Sequence, residues 1–199
     1  MTHYYTNDPD LAHDEHSFSF ELAGHTLTFT SDNGVFSKHT IDYGSRVLID
    51  TVATAPDLPA GAVLDVGCGY GPIGLALAKH FPERAVTMSD VNERALALAQ
   101  RNADANEIAN VTILESSVYD QIDGTFAVIV TNPPIRAGKA IVSGILAGAA
   151  AHLQPGGQLY AVLQKKQGAP SALKLMKATF ADAAVVRKAH GYYILRATK

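Results

Sequence analysis

A single cysteine, Cys68, occurs among 199 residues, which excludes an internal disulfide or a cysteine-rich metal cluster and suits a reducing cytoplasm. Positive charge is not in excess either. With a formal charge of -3 and a pI near 6.2, bulk electrostatics does not hold a nucleic-acid partner, and such a partner is met through a local patch. The start of the chain, Met1 to Asp8, lacks a basic segment followed by an apolar one, and no apolar run reaches membrane-spanning length. A soluble, unexported, cytoplasmic protein without a membrane partner is therefore expected. Internal repeats, low-complexity tracts and Gly/Ser linkers are missing as well, which points to one compact unit with an N-terminal extension. The polar start carries His3, His13 and His16 near Asp8, Asp10, Asp14 and Glu15 without compact ligand spacing, so no metal is expected there. What the chain does have is a 47% hydrophobic content, enough for a substantial core.

From Ser17 apolar residues alternate. Phe18, Phe20 and Leu22 share one face, and Leu27 and Phe29 share another after the turn-like Ala23-Gly24-His25, which reads as a β-hairpin. Asp42 suits the cap of a helix carrying Val47, Leu48 and Val52 and ending before Pro56. Strand and helix then alternate. Val63 to Val66 is a short β-branched strand of the kind buried on both faces, with a helix from about Pro72 to Phe81. Ala85 to Ser89 forms a strand ending at Asp90, and Asn92 caps a helix to about Ala105. Val111 to Leu114 and Ala127 to Val130 are further strands. A helix from about Ala140 to Leu153 stops at Pro155-Gly156-Gly157, before a strand over Gln158 to Leu163. After a helix around Ser171 to Phe180, Ala184 to Lys188 and Tyr192 to Ala197 are joined by little more than His190-Gly191. That link is too short for a parallel crossover, so these strands pair antiparallel.

Three features coincide after the first of the alternating strands: Asp65, then Gly67, Gly69 and Gly71, and Asp90 closing the next strand. Glycines let backbone approach a ligand closely, and a carboxylate about 20 residues on can accept from both ribose hydroxyls of an adenine nucleoside. Gly71-Pro72-Ile73-Gly74 supplies no Lys-Ser/Thr pair, which disfavours a triphosphate loop. The dinucleotide fingerprint places its third glycine at position 72, where this chain has proline, with a glycine one residue early. An acid just ahead of the glycines repels pyrophosphate and suits a cationic amino-acid moiety, which points to S-adenosylmethionine.

Asp65 to Gly71, Asp90 and Asn132-Pro133-Pro134 together resemble the motifs of class I S-adenosylmethionine-dependent methyltransferases, over essentially residues 35–199. More narrowly, Gly34 to Ser37, Asp42 to Ser45, the run Asn132 to Lys139 and Lys165 to Ala169 are similar to the small-domain enzymes related to ribosomal RNA guanine-N2 methyltransferases. The resemblance implies an α/β, Rossmann-like, seven-stranded sheet with an antiparallel C-terminal hairpin, divided here as a β-hairpin extension at 1–42 and a methyltransferase domain at 43–199. It also implies a cofactor site of Asp65, Gly67, Cys68, Gly69, Gly71, Asp90, Val91, Asn92, Ser117, Val118 and Asn132. Asn132, Pro133 and Pro134 would orient an amine for methylation, with the Asn132 side-chain oxygen and the Pro133 carbonyl as acceptors. Phe36, Arg136 and Lys139 would meet an RNA substrate, ribosomal RNA or a ribosomal subunit, and Lys165 and Lys166 extend the same basic edge.

Three positions depart from the broader pattern. Ile135 stands where an aromatic often follows Asn-Pro-Pro, so base stacking falls to Phe36 or is replaced by apolar contact. Near the end of the third of the alternating strands, where relatives often place an acid to receive the adenine amine, stands Ser116-Ser117-Val118, and Ala127 follows Phe126 where an Asp is common. Methylation of another planar amine, such as a protein glutamine amide, and a non-catalytic nucleoside-binding module are the rival readings.

Overall fold

The computed structural model describes residues 11–199; His3, Asp8 and Asp10 lie outside the described residues. The chain opens with strands β1 (His16–Leu22) and β2 (His25–Ser31), paired antiparallel. Ala23 and Gly24 both have positive φ, 50° and 80°, the two-residue geometry whose twist matches a hairpin. The register sets Phe18 opposite Phe29 and Phe20 opposite Leu27, so the apolar positions of both strands form one face and not two.

Helix α1 (Tyr43–Ala53) follows, then β3 (Val63–Val66), α2 (Pro72–His80), β4 (Val86–Asp90), α3 (Glu93–Ala105), β5 (Val111–Glu115) and β6 (Phe126–Thr131). The remaining elements are α4 (Lys139–His152), β7 (Leu153–Gln164), α5 (Ala169–Thr179), β8 (Asp182–Ala189) and β9 (Tyr192–Thr198). β3 to β9 form one seven-stranded sheet in the order β5-β4-β3-β6-β7-β9-β8, with β9 antiparallel to both neighbours. This is the expected α/β sheet with its antiparallel C-terminal hairpin, turned by His190 and Gly191 at φ 44° and 85°.

Period-two alternation sends side chains to opposite layers. In β7, Tyr160 and Val162 enter the core beneath α1, α2, α3 and the N-terminal hairpin, while Leu159, Ala161 and Leu163 enter the core beneath α4 and α5. The hairpin is fixed through β2. The Asn102 side chain both donates to the Thr30 carbonyl and accepts from its N–H, and Asn106 does the same for Thr28. One asparagine within α3 and the asparagine that caps its C-terminus thus occupy backbone groups that an open strand edge would otherwise present.

β7 begins earlier than the sequence indicates. Pro155-Gly156-Gly157 does not end the pairing: Gly156 donates to the Lys199 carbonyl at 3.1 Å and Lys199 donates to that of Gly157 at 3.0 Å. A side chain at Gly157 would meet the Gln154 and Phe126 carbonyls at 2.9 and 3.1 Å, so glycine is what lets the strand bulge and rejoin.

Gly74, in α2, is a close-packing point. A β-carbon there would lie 2.6 Å from Met88 Cγ and 3.1 Å from Asp65 Oδ2. Overpacking of this kind costs about 1–3 kcal/mol, more than the roughly 1 kcal/mol alanine gains in helix propensity. Gly74→Ala is therefore expected to lower the urea midpoint without changing the slope of the transition.

Candidate active site

The loops at the carboxyl ends of β3, β4, β5 and β6 surround a cavity of about 690 Å³, where an open parallel sheet places its ligands. Gly67 and Gly69 line it with positive φ, 76° and 57°. A β-carbon at either would meet nothing within 4 Å, so the cavity, and no packed neighbour, lies over these positions. The loop's amides are already engaged. Gly67 and Cys68 donate to the Ser89 carbonyl, Gly71 donates to that of Cys68, and Gly69 donates to Asp90 Oδ2 at 2.8 Å. A phosphate site keeps such amides free for the anion; here two backbone carbonyls and the Asp90 carboxylate hold them.

Asp90 lines the cavity at the end of β4. Its Oδ1 accepts from the Asn92 amide and its Oδ2 from Gly69, leaving lone pairs on both oxygens for a ligand. Burial raises its pKa, against the lowering effect of the Asn92, Gly69 and Val91 amides. Asp65 is fully buried and accepts from the Gly74 amide at 2.8 Å through Oδ2, while Oδ1 has no partner among the described residues. Burial pushes its pKa up to about 7, with the Asp90 charge adding to the rise. Two desolvated carboxylates beneath one loop favour a cation above it and oppose a phosphate.

A group whose folded pKa is raised binds protons more tightly when folded, so its stabilising effect is complete at low pH and is lost as pH rises through the folded value. Asp65 and Asp90 both carry this sign. Asp14, Glu15 and Asp32 are shifted down and act in the opposite direction, below the ordinary carboxylate range. Between about pH 4.5 and 7.5, on the order of 3 kcal/mol of stability should be lost as the unfolded chain, and not the folded one, releases the Asp65 proton freely. Denaturation of the ligand-free chain across this window is expected to show the fall, and Asp65→Asn to flatten it.

The cavity wall also contains Cys68, Val91, Ser117 and Val118, and at its opposite side Asn132, Pro133 and Pro134. Phe36 and Arg136 lie at the mouth, both exposed. Four residues expected in the site from the sequence stand off the wall. Asp65 points beneath the loop, because alternation along β3 gives the cavity-lining position to Val66; Gly71 packs its backbone against Leu75 and Met88 as the cap of α2. Asn92 is buried as the cap of α3, and Lys139 opens α4 outside the cavity. Burial raises the Cys68 thiol well above its ordinary value, which leaves it a neutral wall residue and no nucleophile. Val118 holds a positive φ of 54°, strained for a β-branched residue and tolerated here at the cavity edge. Ile135 is a half-buried residue of the wall after Asn-Pro-Pro, and Ala127 is fully buried in the core.

Asn132 is held by residues far away in sequence. Its amide nitrogen donates to Ser45 Oγ at 3.0 Å and to Asp42 Oδ2 at 3.3 Å. Asp42 also caps α1 through the Ser45 amide, and its Oδ1 accepts from the Tyr192 hydroxyl at 3.4 Å. A carboxylate only accepts, so it fixes which end of the Asn132 amide faces it. Asn132 Oδ1, and the carbonyl oxygen of Pro133 next to it, have no partner among the described residues. At the end of β6, Thr131 Oγ1 donates to the Val66 carbonyl at 2.8 Å and locks the segment to β3. Ser45, Tyr192, Gln164 and Gln167 complete this side of the cavity. Sequence reading assigned Asp42 a capping role alone and missed Ser45 and Tyr192; the signal available was the run Asp42 to Ser45 itself.

Among the described residues, His13, Glu15 and Asp32 bring possible ligand atoms within 4.8 Å of one another. Asp32 pairs with His13 and Arg94, and Glu15 with Arg101, so the group is an ion-pair cluster tying the first described residues to α3. No helix of the described residues is long and apolar enough to cross a membrane.

Residues 26–196 match the family model described as methyltransferase small domain. An uncharacterized Bacillus subtilis protein, YbxB, is 50% identical over 99% of this chain and 98% of its own length. Ribosomal RNA small subunit methyltransferase C of Photorhabdus laumondii is 32% identical over 93% of this chain and 56% of its own. The solved 16S rRNA N2 G1207 methyltransferase of T. thermophilus, in complex with AdoMet and guanosine, superposes with a TM-score of 0.83 at 28% identity, covering 96% of this chain and 52% of that one. The chain thus spans about half the length of these two ribosomal RNA methyltransferases. A family match over most of the chain, the sheet order and the carboxylate-backed glycine loop agree: the chain belongs to the methyltransferase small-domain family of class I S-adenosylmethionine-dependent methyltransferases.

Proposed function

We propose that this chain, in the cytoplasm, methylates the exocyclic N2 of a guanine in ribosomal RNA. The observation that carries the reading is Asn132, with its amide nitrogen anchored by Asp42 and Ser45 and its oxygen left over beside the Pro133 carbonyl. Support comes from the T. thermophilus relative, solved with AdoMet and guanosine.

The residues present fit S-adenosylmethionine. Open space over Gly67 and Gly69, loop amides already satisfied and two buried carboxylates suit a ligand with positive charge near the loop and hydroxyls near Asp90. Gly67, Cys68 and Gly69 would hold its amino-acid portion, Asp90 its ribose, and Val91, Ser117 and Val118 its base. When bound, this cofactor supplies a methyl group on a sulfonium, a good leaving group.

The chain's own task is positioning. The guanine amine is a poor nucleophile because its lone pair is delocalised into the ring. Asn132 Oδ1 and the Pro133 carbonyl would accept from its two N–H bonds, turning the lone pair toward the methyl group and stabilising the positive charge that grows on nitrogen until one of those protons passes to water. Consecutive prolines stiffen the acceptor carbonyl and add no competing N–H. Alignment of this kind, in place of acid–base chemistry, supplies most of the rate. Phe36 and Ile135 flank the mouth as apolar contacts for the base, and Arg136 and Lys139 meet RNA phosphate.

The test is incubation with labelled S-adenosylmethionine and separate ribosomal RNA and ribosomal protein acceptors. Label in RNA is expected. Label in protein glutamine would replace this reading with amide methylation, and cofactor binding without label in either acceptor would replace it with a nucleoside-binding module.

A further inference from the structure

The overall charge of -3 conceals a partition. Residues 133–199 hold ten of the sixteen lysines and arginines but one of the nineteen acids, Asp182, while residues 1–132 hold six cations and eighteen acids. The fold converts this partition along the chain into one in space. α4 and α5 contain no acidic residue, and they cover one layer of the sheet at its β7-β9-β8 side. Asp182 lies at the end of β8 away from the cavity and pairs with Arg196 at 3.7 Å. The acids Asp120 and Asp123 sit in the β5–β6 loop, on the far flank of α4, where Tyr119 stacks on His152.

Exposed cations run across this face from the cavity mouth. Arg136 lines the mouth and Lys139 opens α4. Lys165 and Lys166 follow β7, and the Lys165 amide donates to the Gly191 carbonyl at 2.8 Å, setting this turn against the tip of the β8–β9 hairpin. Lys174 and Lys177, three residues apart, share the solvent side of α5, whose other side buries Ala169, Ala172 and Met176. Among the described residues none of these six cations has a carboxylate within ion-pair distance. The contrast with Arg94 and Arg101 on α3, which are paired, is clear.

Unpaired, exposed, like-charged side chains repel one another and lower stability unless a polyanion meets them. We infer that the α5 face, through Lys165, Lys166, Lys174 and Lys177, is a phosphate track that holds the RNA strand leading away from the target nucleotide. The inference rests on the RNA reading above and names where a chain of net negative charge obtains its RNA affinity. The acidic remainder of the molecule repels the same polyanion, so RNA docks with its target at the cavity and its flank across α5.

The experiment uses in-vitro transcribed small-subunit ribosomal RNA and anisotropy titrations from 50 to 200 mM KCl. Each phosphate contact contributes about 0.7 to the salt slope for single strands, so wild type should exceed the variant Lys165→Glu/Lys166→Glu/Lys174→Glu/Lys177→Glu by about 2.8 in slope and by at least about tenfold in affinity. The four Lys→Arg replacements should restore binding, and S-adenosylmethionine affinity should be the same in all three proteins. Equal RNA affinity and slope in wild type and the glutamate variant would overturn the track, as would wild type that binds phosphatidylglycerol vesicles and no RNA. RNA binding that depends on the four lysines, in a protein that places no methyl in RNA, would support the track and overturn the proposed reaction.

Discussion

Asn132→Ala is expected to lower methyl transfer by about 10²- to 10³-fold, the effect of removing one hydrogen-bonding group aimed at developing charge. S-adenosylmethionine affinity should change less than about threefold. The split follows from geometry. Asn132 Oδ1 has no partner among the described residues to lose, and in the proposed reaction its contact with the amine would strengthen only as positive charge grows on N2. The fold tolerates the change, because Asp42 keeps the Ser45 amide and the Tyr192 hydroxyl. Single-turnover transfer with saturating cofactor, beside a calorimetric titration of the cofactor, measures both quantities. Equal transfer by the two proteins would remove Asn132 from the site's chemistry.

Asp90→Ala should act on the opposite half of the site and reduce cofactor affinity by about 10²- to 10⁴-fold. Hydrogen bonds to a charged acceptor contribute roughly 1.5–3 kcal/mol each, and on the proposed reading Asp90 would receive two ribose hydroxyls. A further loss comes from the loop, since Gly69 and Asn92 both donate to this carboxylate. The ligand-free protein should suffer much less, because burial makes the Asp90 charge unfavourable until a ligand shares it. Thermal scans separate these effects. The unliganded transition should move by a few degrees, while the increase produced by millimolar S-adenosylmethionine in wild type should vanish. A ligand-induced increase retained in full would contradict the assignment.

What the sequence made legible was local. The strand Val63 to Val66, the glycine spacing, Asp90 at a strand end, the caps Asp42 and Asn92 and the two-residue turn His190-Gly191 each depend on neighbours within a few positions. The strand count and the antiparallel C-terminal hairpin came from the resemblance, and the sheet has both; the strand order was legible only in the fold. The anchoring of Asn132 was not legible, because Asp42 and Ser45 lie 90 and 87 positions away, and a cap signal already accounted for Asp42. Asp65 illustrates a different failure: its spacing is correct, but strand alternation puts it under the loop and not on the cavity wall. At Pro155-Gly156-Gly157 turn chemistry was read as a break, whereas pairing with Lys199 carries the strand through. The charge partition was present in the sequence, but a net value of -3 averages it away.

Base substitution isolates the proposed reading of an exocyclic amine by Asn132 and Pro133. Small-subunit ribosomal RNA transcribed with guanosine and the same RNA transcribed with inosine, which lacks only the 2-amino group, would be incubated with labelled S-adenosylmethionine and digested to nucleosides. The expected result is label confined to N2-methylguanosine, with none transferred to the inosine transcript. Label in the inosine transcript, or in a nucleoside methylated at a ring nitrogen or a ribose oxygen, would contradict it.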